Sequence, residues 1–299
     1  MAQFPHADKS MDPLAVNVMQ KPIKSYALIT GASRGLGKAF ASELAGRGWN
    51  VLLTALPGED LQSFCNHLEK TFPIEAKFLE CNLTDRAEID RLTTWIKDNY
   101  PINLLINNAG KGGTSEFEKA SIHQIEEIIL LNVRAPAMLS HQLLPLLKKN
   151  KPAWILNVSS MACFSPIGYK TVYPASKAFV RDFSQGLYQE LKDSGVFVSV
   201  VHPGPMRTNA DSTSRIERQG ILAKAGLISP EQMARKSLTR LFRKDTRILV
   251  GWMNQFLWLL TKTIPLRFRT PWITQIIKRE IQSSPQTHRY EPYISYRSQ

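Results

Sequence analysis

The chain has 299 residues, 43% of them apolar and 21% charged, which is enough for one large α/β domain and excludes a disordered or fibrous protein. Three scattered cysteines, Cys65, Cys81 and Cys163, show neither metal-ligand nor disulfide spacing, as expected of a reducing, cytoplasmic setting with no metal centre. The formal net charge is +13, yet residues 1–211 hold 22 Lys/Arg against 20 Asp/Glu while residues 212–299 hold 16 against 5, and no nucleic-acid motif accompanies that basic third.

Residues 1–24 lack the continuous apolar stretch of a secretory signal and read as a loosely held leader. From residue 25, short apolar or β-branched runs alternate with helical patterns. Strands are predicted at 25–30, 50–55, 76–81, 102–106, 153–158, 196–202 and 247–251, and helices near 36–48, 58–71, 85–99, 120–149, 173–194 and 229–243. This βαβ alternation predicts one α/β domain over 25–251: a doubly wound (Rossmann) parallel sheet of about seven strands, covered by helices on both faces.

Between the first strand and the first helix stands Thr30-Gly31-Ala32-Ser33-Arg34-Gly35-Leu36-Gly37. Glycine at 31, 35 and 37 allows a tight turn and close backbone approach to a diphosphate, and the N–H groups of the helix opening at Ser33 to Leu36 suit an anion. A plain strand-to-helix turn is the competing reading. About twenty positions on, where an NAD site carries a carboxylate, the strand ends Leu53-Thr54-Ala55-Leu56-Pro57. Glu59 and Asp60 read as the start of the next helix. Arg34 is then placed to meet a 2′-phosphate, which favours NADP(H) over NAD(H), although Leu56 sits where a second basic residue would have strengthened that preference.

Asn107-Asn108-Ala109-Gly110 leaves the fourth strand at the sheet's carboxyl edge, where small residues make room for a ligand and Asn108 can hydrogen-bond it; a simple Asn/Gly turn would look the same. Asn132 interrupts the apolar run 128–133 of a long helix, and a buried amide needs partners. Asn157-Val158-Ser159-Ser160 closes the fifth strand; the Ser160 hydroxyl can hold a carbonyl oxygen or merely cap a turn. Next comes Tyr173-Pro174-Ala175-Ser176-Lys177. Four residues apart on a helix, phenol and amine share one face, and a cation beside a phenol favours the phenolate and brings the hydroxyl into range for acid/base work.

His202-Pro203-Gly204-Pro205-Met206-Arg207-Thr208 follows the sixth strand as a rigid turn, whose backbone groups and Thr208 hydroxyl can hold a nicotinamide amide; His202 reads as structural. Met161, Phe164, Pro166, Ile167, Tyr169 and Met206 outline an apolar mouth, and 209–228 a mobile cover, which point to a lipophilic ketone, aldehyde or acyl substrate. Residues 252–299 form a basic C-terminal extension with helical stretches near 251–260 and 272–281, too short and interrupted to span a bilayer. They read as helices packed on the domain or a second subunit, with a peripheral membrane anchor as the sharper alternative.

Thr30–Gly37, Asn107–Gly110, Asn132, Ser160, Tyr173/Lys177 and Pro203-Gly204, in this order and spacing, resemble the short-chain dehydrogenase/reductase family across about residues 25–251. The resemblance implies that Tyr173 exchanges a proton with the substrate oxygen and Lys177 binds the nicotinamide ribose and lowers the tyrosine pKa. It further implies that Ser160 polarises the carbonyl and Asn132 holds a water linking Lys177 to solvent. Gly31, Ser33, Arg34, Gly35, Leu36, Gly37, Asn82, Leu83, Asn108, Ala109, Gly110, Pro203, Gly204, Met206 and Thr208 would join Tyr173 and Lys177 around NADP(H). Asn82 departs from the acidic residue frequent there. A homodimer or homotetramer is the usual assembly. A nucleotide-binding sensor or scaffold without turnover is the rival reading.

Overall fold

The computed structural model describes residues 25–206 and 227–282. Seven strands pair in parallel in the order β3-β2-β1-β4-β5-β6-β7: β1 (Tyr26–Thr30), β2 (Asn50–Thr54), β3 (Ala76–Phe78), β4 (Ile102–Asn107), β5 (Ala153–Val158), β6 (Val196–Val201) and β7 (Arg247–Ile248). The helices are α1 (Gly35–Gly46), α2 (Leu61–Thr71), α3 (Arg86–Asn99), α4 (Ile122–Ile129), α5 (Ala135–Lys149), α6 (Val172–Leu191), α7 (Pro230–Phe242), α8 (Trp252–Thr263) and α9 (Leu266–Gln282).

The continuous Val/Ile/Leu runs of the strands follow from burial on both faces. Ala27, Ile29, Val51, Leu53, Leu104 and Ile106 face one layer, where Phe40, Leu44, Leu68 and Leu241 of α1, α2 and α7 are buried. Leu28, Leu52, Leu105, Ile155 and Val198 face the other, built by Leu92, Leu139 and Leu143 of α3 and α5. Each such side chain contributes roughly 1.5–3 kcal/mol on leaving water. Trp49 stacks on Phe242 at 5.7 Å and meets the edge of Trp154 at 6.1 Å, which fastens the start of β2 to the far side of the sheet. The strand order reverses between β1 and β4, and the cleft at their carboxyl ends lies at that switch point.

Three expectations are corrected. The helix expected over 120–149 is interrupted: α4 passes through a π-turn, Leu130–Arg134, into α5, with the Ala135 N–H bonded to the Leu130 carbonyl. Pro136 has no N–H to give to the carbonyl of Asn132, so the helix loosens by one residue at this point. The third strand ends at Phe78 rather than 81, although the Leu79 and Cys81 N–H groups still reach the Leu53 and Ala55 carbonyls. The seventh stops at Ile248.

The described tail is two helices broken at Ile264 and Pro265, so α9 begins earlier than expected, at Leu266, with Pro271 inside it. Met253, Asn254 and Ile277 are buried against the domain. Thr274 Oγ1 accepts from the Gly168 N–H at 3.0 Å, and a Cβ on Gly204 would meet Asn254 Oδ1 at 2.5 Å. α8 therefore touches Gly204, which lines the cleft, and α9 touches Gly168, the neighbour of Tyr169. Among the described residues no helix is long and apolar enough to cross a membrane. The leader 1–24, Thr208 and 209–226 of the expected cover, and 283–299 lie outside the described residues.

Candidate active site

A cleft of about 640 Å³ runs along the strand ends from Arg34 and Glu59 to Tyr173 and Met206. At its first end Gly31 adopts φ +65° and Gly35 φ +55°, and a Cβ on Gly37 would stand 2.0 Å from the Gly31 carbonyl oxygen. No residue but glycine fits such contacts. Ser33, Arg34, Gly35 and Leu36 line this end, and the α1 N-terminus opens onto it. Thr30, the first residue of the motif, holds the turn from beneath: its Oγ1 accepts from the Asn108 and Ala109 N–H groups at 3.0 and 2.9 Å.

Asn108 lines the cleft, but its side-chain amide donates to the Thr30 and Gly31 carbonyls at 2.9 and 3.2 Å. Its donors shape the glycine turn rather than being free for a ligand. Asn82 and Leu83 also line the cleft, with Asn82 Oδ1 accepting from the Thr84 N–H and hydroxyl at 3.1 and 2.8 Å.

Glu59 corrects the reading of this end. It precedes α2, whose N-cap is Asp60, and turns back into the cleft. There it hydrogen-bonds the Ser33 hydroxyl and pairs with Arg34, Nη2 to Oε1 3.4 Å. A carboxylate is thus present at the Arg34 end of the cleft after all, supplied by the loop after β2 rather than by the strand tip. Arg34, 72% exposed, is held by it.

At the other end Ser160, Tyr173 and Lys177 come together with Pro203, Gly204 and Met206. The β5–α6 and β6–α7 connections are tied by the Met161 N–H to the Pro203 carbonyl, 2.9 Å. Ser160 caps the short helix Met161–Phe164 through the Ala162 N–H, 3.1 Å, and lines the cleft as well. Lys177 is buried and its Nζ donates to the Val158 carbonyl at 2.9 Å. The absence of a side chain at Gly110 lets Lys177 Nζ and Asn132 Oδ1 approach one place, since a Cβ there would lie 3.0 and 3.1 Å from them.

Asn132 itself is buried in the π-turn. Its Oδ1 accepts from the Lys111 N–H, and its Nδ2 donates to the Lys111 carbonyl and Ser176 Oγ, each at 2.9 Å. It fastens the loop at 110–112, after β4, to α6. Lys111 and Glu127, paired at 2.5 Å, flank this point, and neither was visible as a site residue in the sequence because their contact spans two elements.

Electrostatics divide the pair at the reaction end. Burial lowers the Lys177 pKa to about 8, a little above neutral. Burial also raises the Tyr173 pKa above its usual value, and a hydrogen bond from Ser160 opposes that rise. The expected lowering by the ammonium is therefore not what this geometry produces: with Lys177 Nζ directed at Val158, desolvation dominates, and the phenol holds its proton at neutral pH.

Of the expected mouth residues, Met206 lines the main cleft, and Tyr169 lines an adjoining cavity of about 210 Å³ with Phe117, Ile125, Ile128 and Tyr173. Tyr169 has a left-handed backbone, φ +64°, and its carbonyl accepts from the Ser115 N–H at 2.8 Å, closing that cavity. Phe164 instead packs on the His202 ring, 4.7 Å away, under the Arg181 guanidinium. His202 is buried, with Cys163 Sγ 3.3 Å from its Nδ1; burial and the nearby Arg247 lower its pKa to about 3, so it stays neutral and structural. Among the described residues no His/Cys/Asp/Glu cluster could hold a metal.

A glycine cradle, a helix N-terminus and an elongated cleft ending at a half-buried tyrosine and a buried lysine fit a dinucleotide. Comparison with known proteins agrees. The family model described as short chain dehydrogenase matches residues 25–219. The chain is 32% identical over 194 residues to hydroxysteroid dehydrogenase-like protein 1 of Gallus gallus, covering 64% of this chain and 58% of that protein. It is 31% identical over 200 residues to very-long-chain 3-oxoacyl-CoA reductase of Anas platyrhynchos, covering 64% and 62%. A Homo sapiens protein named inactive hydroxysteroid dehydrogenase-like protein 1 is 29% identical over 197 residues, covering 64% and 60%. The chain thus spans only 58–62% of the length of these relatives. A short-chain dehydrogenase from Sphingobium yanoikuyae, solved in complex with NADPH, matches at TM-score 0.68 and 25% identity over 91% of this chain and 100% of that one.

Proposed function

This chain belongs to the short-chain dehydrogenase family, and on that premise we propose that it transfers hydride between NADP(H) and a lipophilic carbonyl or alcohol of the ketone, aldehyde or 3-oxoacyl type. The carrying observation is that Ser160, Tyr173 and Lys177 converge at one end of a cleft whose other end is the glycine turn. When bound, the nicotinamide supplies the hydride.

The protein's own residues do the rest. The glycine turn and α1 N-terminus receive the diphosphate, Pro203, Gly204 and Met206 bound the nicotinamide, and the Lys177 ammonium donates to ribose hydroxyls. Ser160 orients the substrate oxygen. Tyr173, protonated at neutral pH, gives its proton to that oxygen in reduction and takes it back in oxidation. Asn132, by clamping Lys111 and Ser176, keeps Lys177 beside the loop at 108–112; a water on its Oδ1 would link the ammonium to solvent. The cavity lined by Phe117, Ile125, Ile128 and Tyr169 suits an apolar substituent next to the reacting carbon. We assign the protein to the cytoplasm or its membrane surface, where its free, buried cysteines would stay reduced, and the family resemblance implies a homodimer or homotetramer.

The reading is tested by following NADPH absorbance with a panel of ketones, aldehydes and 3-oxoacyl thioesters, for the native protein and Tyr173→Phe. Turnover with the native chain and a loss of at least about 100-fold in Tyr173→Phe is expected, because proton transfer by a positioned group contributes about 10²–10⁴. Normal turnover by Tyr173→Phe overturns the assignment. The relative named inactive motivates a second reading, cofactor binding without chemistry, which NADPH binding with no turnover on any substrate would favour.

A further inference from the structure

We propose that α8 and α9 form a docking surface for anionic lipid bilayers, on which the protein lies without crossing. Along α8, Trp252, Phe256 and Leu259 recur at i, i+4 and i+7 and are exposed; along α9, Phe268, Trp272 and Ile276 recur at i, i+4 and i+8 and are exposed too. Such spacing puts each set on one helix face. The inner faces are already used, since Met253, Asn254 and Ile277 are buried. Trp252 is 70%, Phe268 60% and Trp272 63% exposed, far beyond the scattered apolar residues of an ordinary surface.

The charge of the two helices selects the occupant. Over residues 252–282 they carry Lys262, Arg267, Arg269, Lys278 and Arg279 against one acid, Glu280. Lys262 lies 5.3 Å from the Trp258 ring and Arg267 4.7 Å from that of Phe268, so cations and aromatics are interleaved. A second copy of this chain would bring the same cations to the same face and be repelled. An anionic headgroup layer complements them, with aromatic rings at the level of the headgroups. α8 reaches the cleft through Asn254 against Gly204, and α9 holds Gly168, the neighbour of Tyr169 in the adjoining cavity, so docking holds the cleft next to the source of an apolar substrate. That last consequence rests on the proposed hydride transfer; the docking itself does not.

The full chain is mixed with vesicles of phosphatidylcholine alone or with phosphatidylglycerol, and bound protein is measured by flotation. Strong binding only with phosphatidylglycerol, reduced by added salt, is expected. Phe256→Ser with Trp272→Ser lowers the bound fraction at least tenfold. Lys262→Gln with Arg267→Gln and Lys278→Gln lowers the partition coefficient on the order of 100-fold, about fivefold per basic residue. Thermal melting and NADPH binding of these surface variants remain native, which separates lost docking from lost folding and from a failure of the cofactor reading. No flotation with either vesicle overturns the proposal. So does a Phe256→Ser/Trp272→Ser variant that turns a dimer into a monomer without changing lipid binding, because the face is then a subunit interface.

Discussion

Replacing Glu59 with glutamine tests how the cleft chooses between cofactors. In the native chain one carboxylate oxygen bonds Ser33 and the other lies 3.4 Å from the exposed Arg34 guanidinium. A 2′-phosphate that used Arg34 would bring nearly two negative charges within about 6 Å of this carboxylate. At the dielectric of water that repulsion is about 0.7 kcal/mol per unit charge, or roughly 1.2 kcal/mol in all. Glu59→Gln keeps the size and the bond to Ser33, removes the repulsion and frees Arg34. Fluorescence titrations should then show NADPH binding tightened about eightfold and NADH binding nearly unchanged. Arg34→Gln should do the reverse, weakening NADPH alone. If Glu59→Gln leaves the NADPH affinity where it was, Glu59 does not oppose the phosphate. If Arg34→Gln does too, the preference for NADP(H) has lost its basis.

Gly37→Ala places a methyl group 2.0 Å from the Gly31 carbonyl and 2.6 Å from Asn108 Nδ2, so cofactor affinity should fall by on the order of 100-fold with a lowered melting temperature, read by titration and calorimetry. Because the Lys177 pKa is lowered to about 8 while bound ribose hydroxyls favour the ammonium, cofactor binding above pH 8 should take up a proton. Calorimetry in buffers of different ionisation heat should show that uptake, and Lys177→Met should abolish it. Buried neutral His202 has a folded pKa near 3 against 6.5 unfolded, so the unfolded state binds the extra proton as pH falls through that window. Its contribution is full above pH 6.5 and about 3 kcal/mol is lost by pH 4, which denaturant melts of the native protein and His202→Gln, the latter with a flatter acid limb, will measure.

Local signals carried most of what the amino-acid order alone determined. The parallel sheet was readable because two-sided burial demands unbroken apolar runs, and the glycine turn because only glycine tolerates those φ values and approaches. Tyr173 and Lys177 were readable because helix periodicity puts them on one face. Tertiary structure decided whatever depends on the meeting of distant segments: Glu59 turning back on Ser33 and Arg34, Asn132 clamped on Lys111 through a π-turn, Phe164 packed on His202, and burial outweighing the Ser160 hydrogen bond at Tyr173. It also decided that α8 and α9 pack against Gly204 and Gly168 while leaving an apolar, basic face outward. Hydrogen bonds and desolvation act over a few ångströms of space, and sequence separation does not record that distance.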